Sequence, residues 1–301
     1  MESILIISPS GTINPDYIEG AAKRLRSWGY KVKVSPHAFG EYGRFSGTDE
    51  ERLADLQAAL QDPSVDAILC ARGGYGLQRI IDKVDLSSLN VNRPTLIGFS
   101  DITALHQLYA LSSLNVNRST LHGLMCKHIA TLPEDSRALQ LFRRALACEP
   151  ITYTLPAHPL NRCGEAQGTL VGGNLSVLYG LQGTPYDLNH VMDAHPEGVI
   201  LFIEDVGERH YHIDRMMNNL RMSGVLARIK GLVVGQFTDC EDDPLMGCTV
   251  SQTIAQAVES YTFPVLFDFP AGHVEDNCPL WLNTIHQLSV TEKLSTLKPN
   301  E

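Results

Sequence analysis

The chain has 301 residues, 44% of them apolar, and a formal net charge of −10 at pH 7. That length accommodates one large domain or two ordinary ones with a sizeable core. The acidic balance argues against a nucleic-acid partner or an anionic membrane surface, which a basic face would serve.

No apolar run approaches the roughly 18–20 residues of a membrane span. The N-terminus, Met1-Glu2-Ser3-Ile4-Leu5-Ile6-Ile7-Ser8-Pro9, lacks the basic region, long apolar stretch and cleavage site of a signal peptide. A cytoplasmic protein is therefore expected. Seven cysteines are scattered without Cys-x-x-Cys spacing, which reads as reduced thiols and not as a disulfide framework. His210 and His212 stand two apart with no matching ligand pair elsewhere. No metal and no cofactor are expected.

The first half alternates strand and helix signals. A β-branched run at 4–8 is followed by a helical pattern at 15–28 that Gly29 ends, and by a short strand at 31–34. Thr48-Asp49-Glu50-Glu51 opens a helix reaching about residue 61, with a capping hydroxyl and an acidic first turn. Strands are predicted at 67–70 and 95–98, and a helix at 101–111. This order implies a mostly parallel sheet flanked by helices, with ligands beyond the carboxyl ends of the strands. The segment 148–167, with Pro150, Pro156 and Pro159, reads as the crossing between domains. Beyond it the pattern predicts helices at 175–181, 211–222 and 250–260, strands at 199–203 and 229–237, an extended stretch at 263–269 and a closing strand near 287–291. The domain assignment is thus 1–150, a linker at 151–167, and 168–301. Leu-Ser-Ser-Leu-Asn-Val-Asn-Arg occurs at both 86–93 and 111–118; the offset suits no solenoid period.

Two segments stand at strand ends in the first half: Arg72-Gly73-Gly74-Tyr75-Gly76 and Gly98-Phe99-Ser100-Asp101-Ile102-Thr103. A serine at a strand-to-helix turn can be thrust into solvent with helix amides beside it, and a neighbouring glycine loop can add N–H donors. Such a serine also suits a plain helix cap, and the common hydrolase elbow has Gly where Ile102 stands. A nucleophile needs a base and the base an orienting carboxylate. His273, in Pro270-Ala271-Gly272-His273, competes for the first role with His106, His122, His210 and His212. Glu204, at the end of the 199–203 strand, competes for the second with Asp205 and Glu208.

The chain resembles the LD-carboxypeptidase family of serine peptidases, which trim murein tetrapeptides. The segments that carry the resemblance span nearly the whole length. They are Ser8-Pro9-Ser10-Gly11, Arg44-Phe45-Ser46-Gly47-Thr48, the two segments above, Gly168-Thr169-Leu170-Val171-Gly172-Gly173-Asn174-Leu175, Glu204-Asp205 with Glu208, and Gly272-His273. The resemblance implies a Ser–His–Glu triad: Ser100 as nucleophile, His273 as general base and Glu204 as orienting carboxylate. Backbone N–H groups of Asp101 and of Gly73 or Gly74 would then cradle the oxyanion. It implies an α/β fold, with an N-terminal glutamine-amidotransferase-like parallel-sheet domain and a smaller C-terminal α/β domain, and it suggests a homodimer. Ser100 comes from the first domain and Glu204 and His273 from the second, so a fragment holding one domain is expected to be inert.

After the catalytic histidine, relatives often carry a Leu-Pro-Leu-Gly-type segment. Here Asn277-Cys278-Pro279-Leu280-Trp281-Leu282 keeps Asn, Pro and Leu but has Trp281 and no Gly. The implied activity is release of D-alanine from murein tetrapeptides in peptidoglycan recycling. Two alternatives share the scaffold: a self-immunity peptidase that cleaves a peptide–nucleotide antibiotic, whose known examples are longer, and a non-catalytic binding protein. A carboxypeptidase must also grip a free carboxylate, and Arg72, Arg79, Arg209 and Arg215 are unranked candidates.

Overall fold

The computed structural model describes residues 1–85, 94–111 and 119–300. The chain folds as two compact units. The first comprises Met1–Glu149 with Cys278–Trp281, and the second Pro150–Asn277 with Leu282–Glu301.

The first unit is built on a six-stranded sheet. Its strands are β1 (Ser3–Ile7), β2 (Lys31–Val34), β3 (Ala67–Cys70), β4 (Thr95–Gly98), β5 (Thr120–His122) and the late strand β11 (Leu280–Leu282), in the order β11-β5-β4-β3-β1-β2. β1 to β5 pair in parallel. The runs are β-branched and apolar because both faces are covered, and Ile6, Ile7, Ile68 and Ile97 are wholly buried. Helix α1 (Pro15–Ser27) starts on Pro at its first position with Asn14 as cap. Helix α2 (Asp49–Gln61) carries the reciprocal capping box of Thr48 and Glu51. Three further helices, α3 (Thr103–Leu111), α4 (Cys126–Thr131) and α5 (Arg137–Leu146), complete the unit. The repeated octapeptide lies outside the described residues apart from Leu111.

The second unit holds a seven-stranded mixed sheet. It contains β6 (Tyr153–Pro156), β7 (Gly164–Asn174), β8 (Val199–Val206), β9 (Gly231–Thr238), β10 (Val265–Leu266), β12 (Thr284–Val290) and β13 (Leu294–Pro299), in the order β10-β9-β8-β7-β12-β13-β6. β7 to β10 are parallel, and β12, β13 and β6 are added antiparallel. Its helices are α6 (Leu175–Gly180), α7 (Leu188–Ala194), α8 (His210–Met222), α9 (Val225–Arg228) and α10 (Val250–Ala257). The stretch 151–167, read above as a linker, carries β6 and the start of β7. β6 is the edge strand, where a proline's missing N–H costs no ladder bond. Of the extended stretch 263–269, only Val265–Leu266 pairs as a strand.

Candidate active site

In the first unit, β4 ends at Gly98 and a single 3-10 turn, Ser100–Ile102, precedes α3. Ser100 has φ 66°, a left-handed conformation. Non-glycine residues seldom adopt it, and strain of this kind costs about 1–3 kcal/mol, concentrating at functional turns. The conformation is that of a nucleophile elbow, without the glycine two residues on. Gly98 compensates: a Cβ there would lie 2.9 Å from the Ile102 side chain. The missing Cβ at Gly98 thus makes room for Ile102.

The glycine loop lies against the serine. A Cβ built on Gly73 would meet Ser100 Cβ at 2.7 Å and Oγ at 3.0 Å, so only glycine fits. Gly11 N donates to Gly73 O at 3.0 Å. The Asp101 carboxylate ties the loop to the elbow by accepting from Ser10 Oγ at 2.5 Å and Leu77 N at 2.9 Å. Burial raises its carboxyl above the ordinary range, and these donors oppose the shift. Sequence reasoning gave Asp101 only a backbone role. His106 also serves the elbow, from α3: its Nε2–H donates to Gly98 O at 3.0 Å. Burial lowers His106 to about 4, so the ring stays neutral.

In the second unit, His273 Nδ1 and Glu204 Oε2 are 2.8 Å apart. A carboxylate only accepts, so Nδ1 carries the proton and Nε2 the ring's lone pair. Glu204 has 0% side-chain exposure and His273 20%. A buried acid orients an imidazole whose edge reaches solvent. Glu204 sits where the β8–β9 register shifts between Ile203 and Asp205, a bulge of the sort that re-aims a side chain. Gly235 opposite has no Cβ, which would lie 2.5 Å from Ala271 O. The His273 loop is pinned by Gln236 N to Ala271 O at 2.9 Å and by Gly272 N to Asn277 Oδ1 at 2.9 Å. Asn277 is wholly buried.

The competing candidates have other partners. Asp205 accepts from Asn174 Nδ2 at 2.9 Å and Ser176 N at 2.8 Å, so it braces the start of α6. Burial pushes its carboxyl up to about 7, the Val206 amide opposes this, and Glu204 and Glu208 add to it. Glu208 pairs with His212 one helical turn on, at 3.0 Å and partly exposed. His210 Nε2–H donates to Thr253 Oγ1 at 2.7 Å, and its Nδ1 accepts from Asp243 N at 3.1 Å. His122 is buried in β5 against the Phe99 ring, with centroids 5.5 Å apart. Among the described residues, no three His, Cys, Asp or Glu side chains are grouped to hold a metal, and no helix is long and apolar enough to cross a membrane.

Residues 4–123 match the LD-carboxypeptidase N-terminal domain and residues 167–288 the LD-carboxypeptidase C-terminal domain. A probable murein peptide carboxypeptidase of Bacillus subtilis is 32% identical, covering 99% of this chain and 92% of its own. The chain belongs to the LD-carboxypeptidase family. It is a serine-type carboxypeptidase. A putative carboxypeptidase of Streptomyces coelicolor is 36% identical over 90% of this chain and 85% of its own. The crystal structure of muramoyltetrapeptide carboxypeptidase from Oxalobacter formigenes superposes with a TM-score of 0.85 at 26% identity, covering 99% of each chain. The microcin C7 self-immunity protein MccF shares the fold, with a TM-score of 0.82 at 20% identity over 100% of this chain and 96% of its own.

Proposed function

We propose that this LD-carboxypeptidase-family chain releases the C-terminal D-alanine of murein tetrapeptides, in the cytoplasm, as a step of peptidoglycan recycling. The observation that carries the reading is a buried Glu204 that orients His273 in the second unit; the strained Ser100 elbow of the first unit, closed by Gly73, supports it. The names of the relatives at 32% and 28% identity, a probable murein peptide and a murein tetrapeptide carboxypeptidase, support the substrate class.

Ser100 Oγ attacks the carbonyl carbon of the L-centre that is amide-linked to D-alanine, and its proton passes to His273 Nε2. Backbone N–H groups of Asp101 and of Gly73 or Gly74 stabilise the oxyanion, each donor contributing about 3 kcal/mol. The C–N bond breaks as the imidazolium returns the proton to the leaving amine. Glu204 fixes the tautomer and stabilises the imidazolium without itself taking the proton. Water, deprotonated by His273, then attacks the acyl-serine, and the collapse of that adduct restores Ser100 and frees the tripeptide. The sum is tetrapeptide plus water to tripeptide plus D-alanine.

The test is incubation with defined tetra- and pentapeptides and an aminoacyl-sulfamoyl adenosine, followed by mass spectrometry. Free D-alanine from the tetrapeptide, lost in Ser100→Ala while the circular dichroism spectrum is unchanged, is the expected result. Near-native turnover by that variant rejects Ser100 as nucleophile. Cleavage confined to the sulfamoyl adenosine rejects the murein substrate.

A further inference from the structure

We infer that Arg72 forms the subsite for the substrate's free C-terminal carboxylate; this rests on the reading of the chain as a carboxypeptidase acting through Ser100. An enzyme that removes one terminal residue meets that carboxylate a few covalent bonds from the scissile carbonyl, on the order of 4–5 Å away. The cation that grips it must therefore stand beside the loop facing the nucleophile. Arg72 immediately precedes Gly73, the residue whose missing Cβ admits Ser100.

The Arg72 side chain is exposed yet tethered. Its Nη1 donates to Thr12 O at 2.5 Å, and the neighbouring Gly11 N donates to Gly73 O at 3.0 Å. One segment thus fixes both the guanidinium and the glycine loop. Among the described residues Arg72 has no ion pair with an acid, so the rest of its planar fork suits a bidentate carboxylate. Two other arginines of this unit near the loop are committed elsewhere. Arg79 grips Asp49 through Nε at 2.9 Å and Nη2 at 2.9 Å. Arg52 is 1% exposed and holds Asp49, Pro9 O and Gly76 O. Arg44 is exposed and gives only its backbone carbonyl to Thr12 N. In the second unit, Arg215 lies over the Tyr211 ring, 5.7 Å from its centroid, and Arg209 is an exposed residue before α8.

The experiment compares a tetrapeptide ending in free D-alanine with the same peptide ending in D-alaninamide, by kcat/KM. Wild type is expected to prefer the acid. Arg72→Ala should lose roughly 10- to 100-fold on the acid, mainly in KM, and little on the amide, so that the preference collapses. Arg72→Lys should retain part of it, and Arg44→Ala all of it. A preference retained in Arg72→Ala overturns the inference. Equal losses on acid and amide also overturn it, because they show a structural role for the Thr12 tether. Collapse of the preference in Arg44→Ala moves the subsite to Arg44. If wild type releases D-alanine or D-alaninamide from neither peptide, the murein-tetrapeptide reading itself fails and takes this inference with it.

Discussion

In the first unit the proposed nucleophile is placed by backbone. Ser100 is held at φ 66°, Gly98 makes room for Ile102, and Gly73 touches the serine where any side chain would collide. In the second unit the equivalent work falls to side chains: Glu204, wholly buried on a bulge, aims His273, and Asn277 holds the loop behind it. The two halves are therefore vulnerable to different substitutions. A backbone device fails when a Cβ is added, and a side-chain device fails when a functional group is changed without altering its size.

The largest expected effect tests the side-chain half. Glu204→Gln keeps the volume but presents an amide that favours the wrong imidazole tautomer. It should lower kcat by roughly 10³- to 10⁴-fold, with the low-field Nδ1 proton resonance of His273 lost from the NMR spectrum. Retention of both rate and resonance would remove Glu204 from the mechanism. Next in size, Gly73→Ala should cost about 100-fold in kcat, the order of one oxyanion donor, and leave the His273 resonance in place. A Gly73→Ala enzyme with native kcat would show that the elbow yields to a Cβ at low cost.

The smallest effect concerns the histidine beneath the elbow. His106 titrates near 4 when folded against 6.5 ordinarily. Between those values the unfolded chain binds a proton that the native state refuses, so stability rises with pH and is lost as pH falls through that window. Between pH 7 and 5 the loss from this group is about 2 kcal/mol. His106→Gln keeps a donor for the Gly98 carbonyl and should show that much less loss by denaturant titration at the two pH values. An unchanged pH dependence would contradict the neutral, buried His106.

The fold was legible wherever burial wrote itself into composition. The β-branched runs of β1, β3, β4 and β8 and the Thr48–Glu51 capping box needed no coordinates. Edge strands were not legible: β6 holds Pro156 and alternates only weakly, and β11 is three residues long. Ser100 could be read as cap or nucleophile, because its φ depends on how Ile102 packs under Gly98. Glu204 and Asp205 could not be separated either. Neighbours on a strand face opposite ways, and the register shift at Glu204 is a property of the paired strand. Asn277 was visible only as a residue kept in an otherwise altered segment.

The late strand β11 has a consequence for synthesis. Residues 1–149 emerge from the ribosome with β5 as an open edge, because the strand that covers it lies at 280–282, after nearly all of the second unit. An exposed strand edge is a template for pairing with other chains. The nascent first unit must keep that edge apart from its neighbours while more than a hundred further residues are made. Aggregation of truncated translation products is therefore expected to fall sharply only once residue 282 has left the exit tunnel.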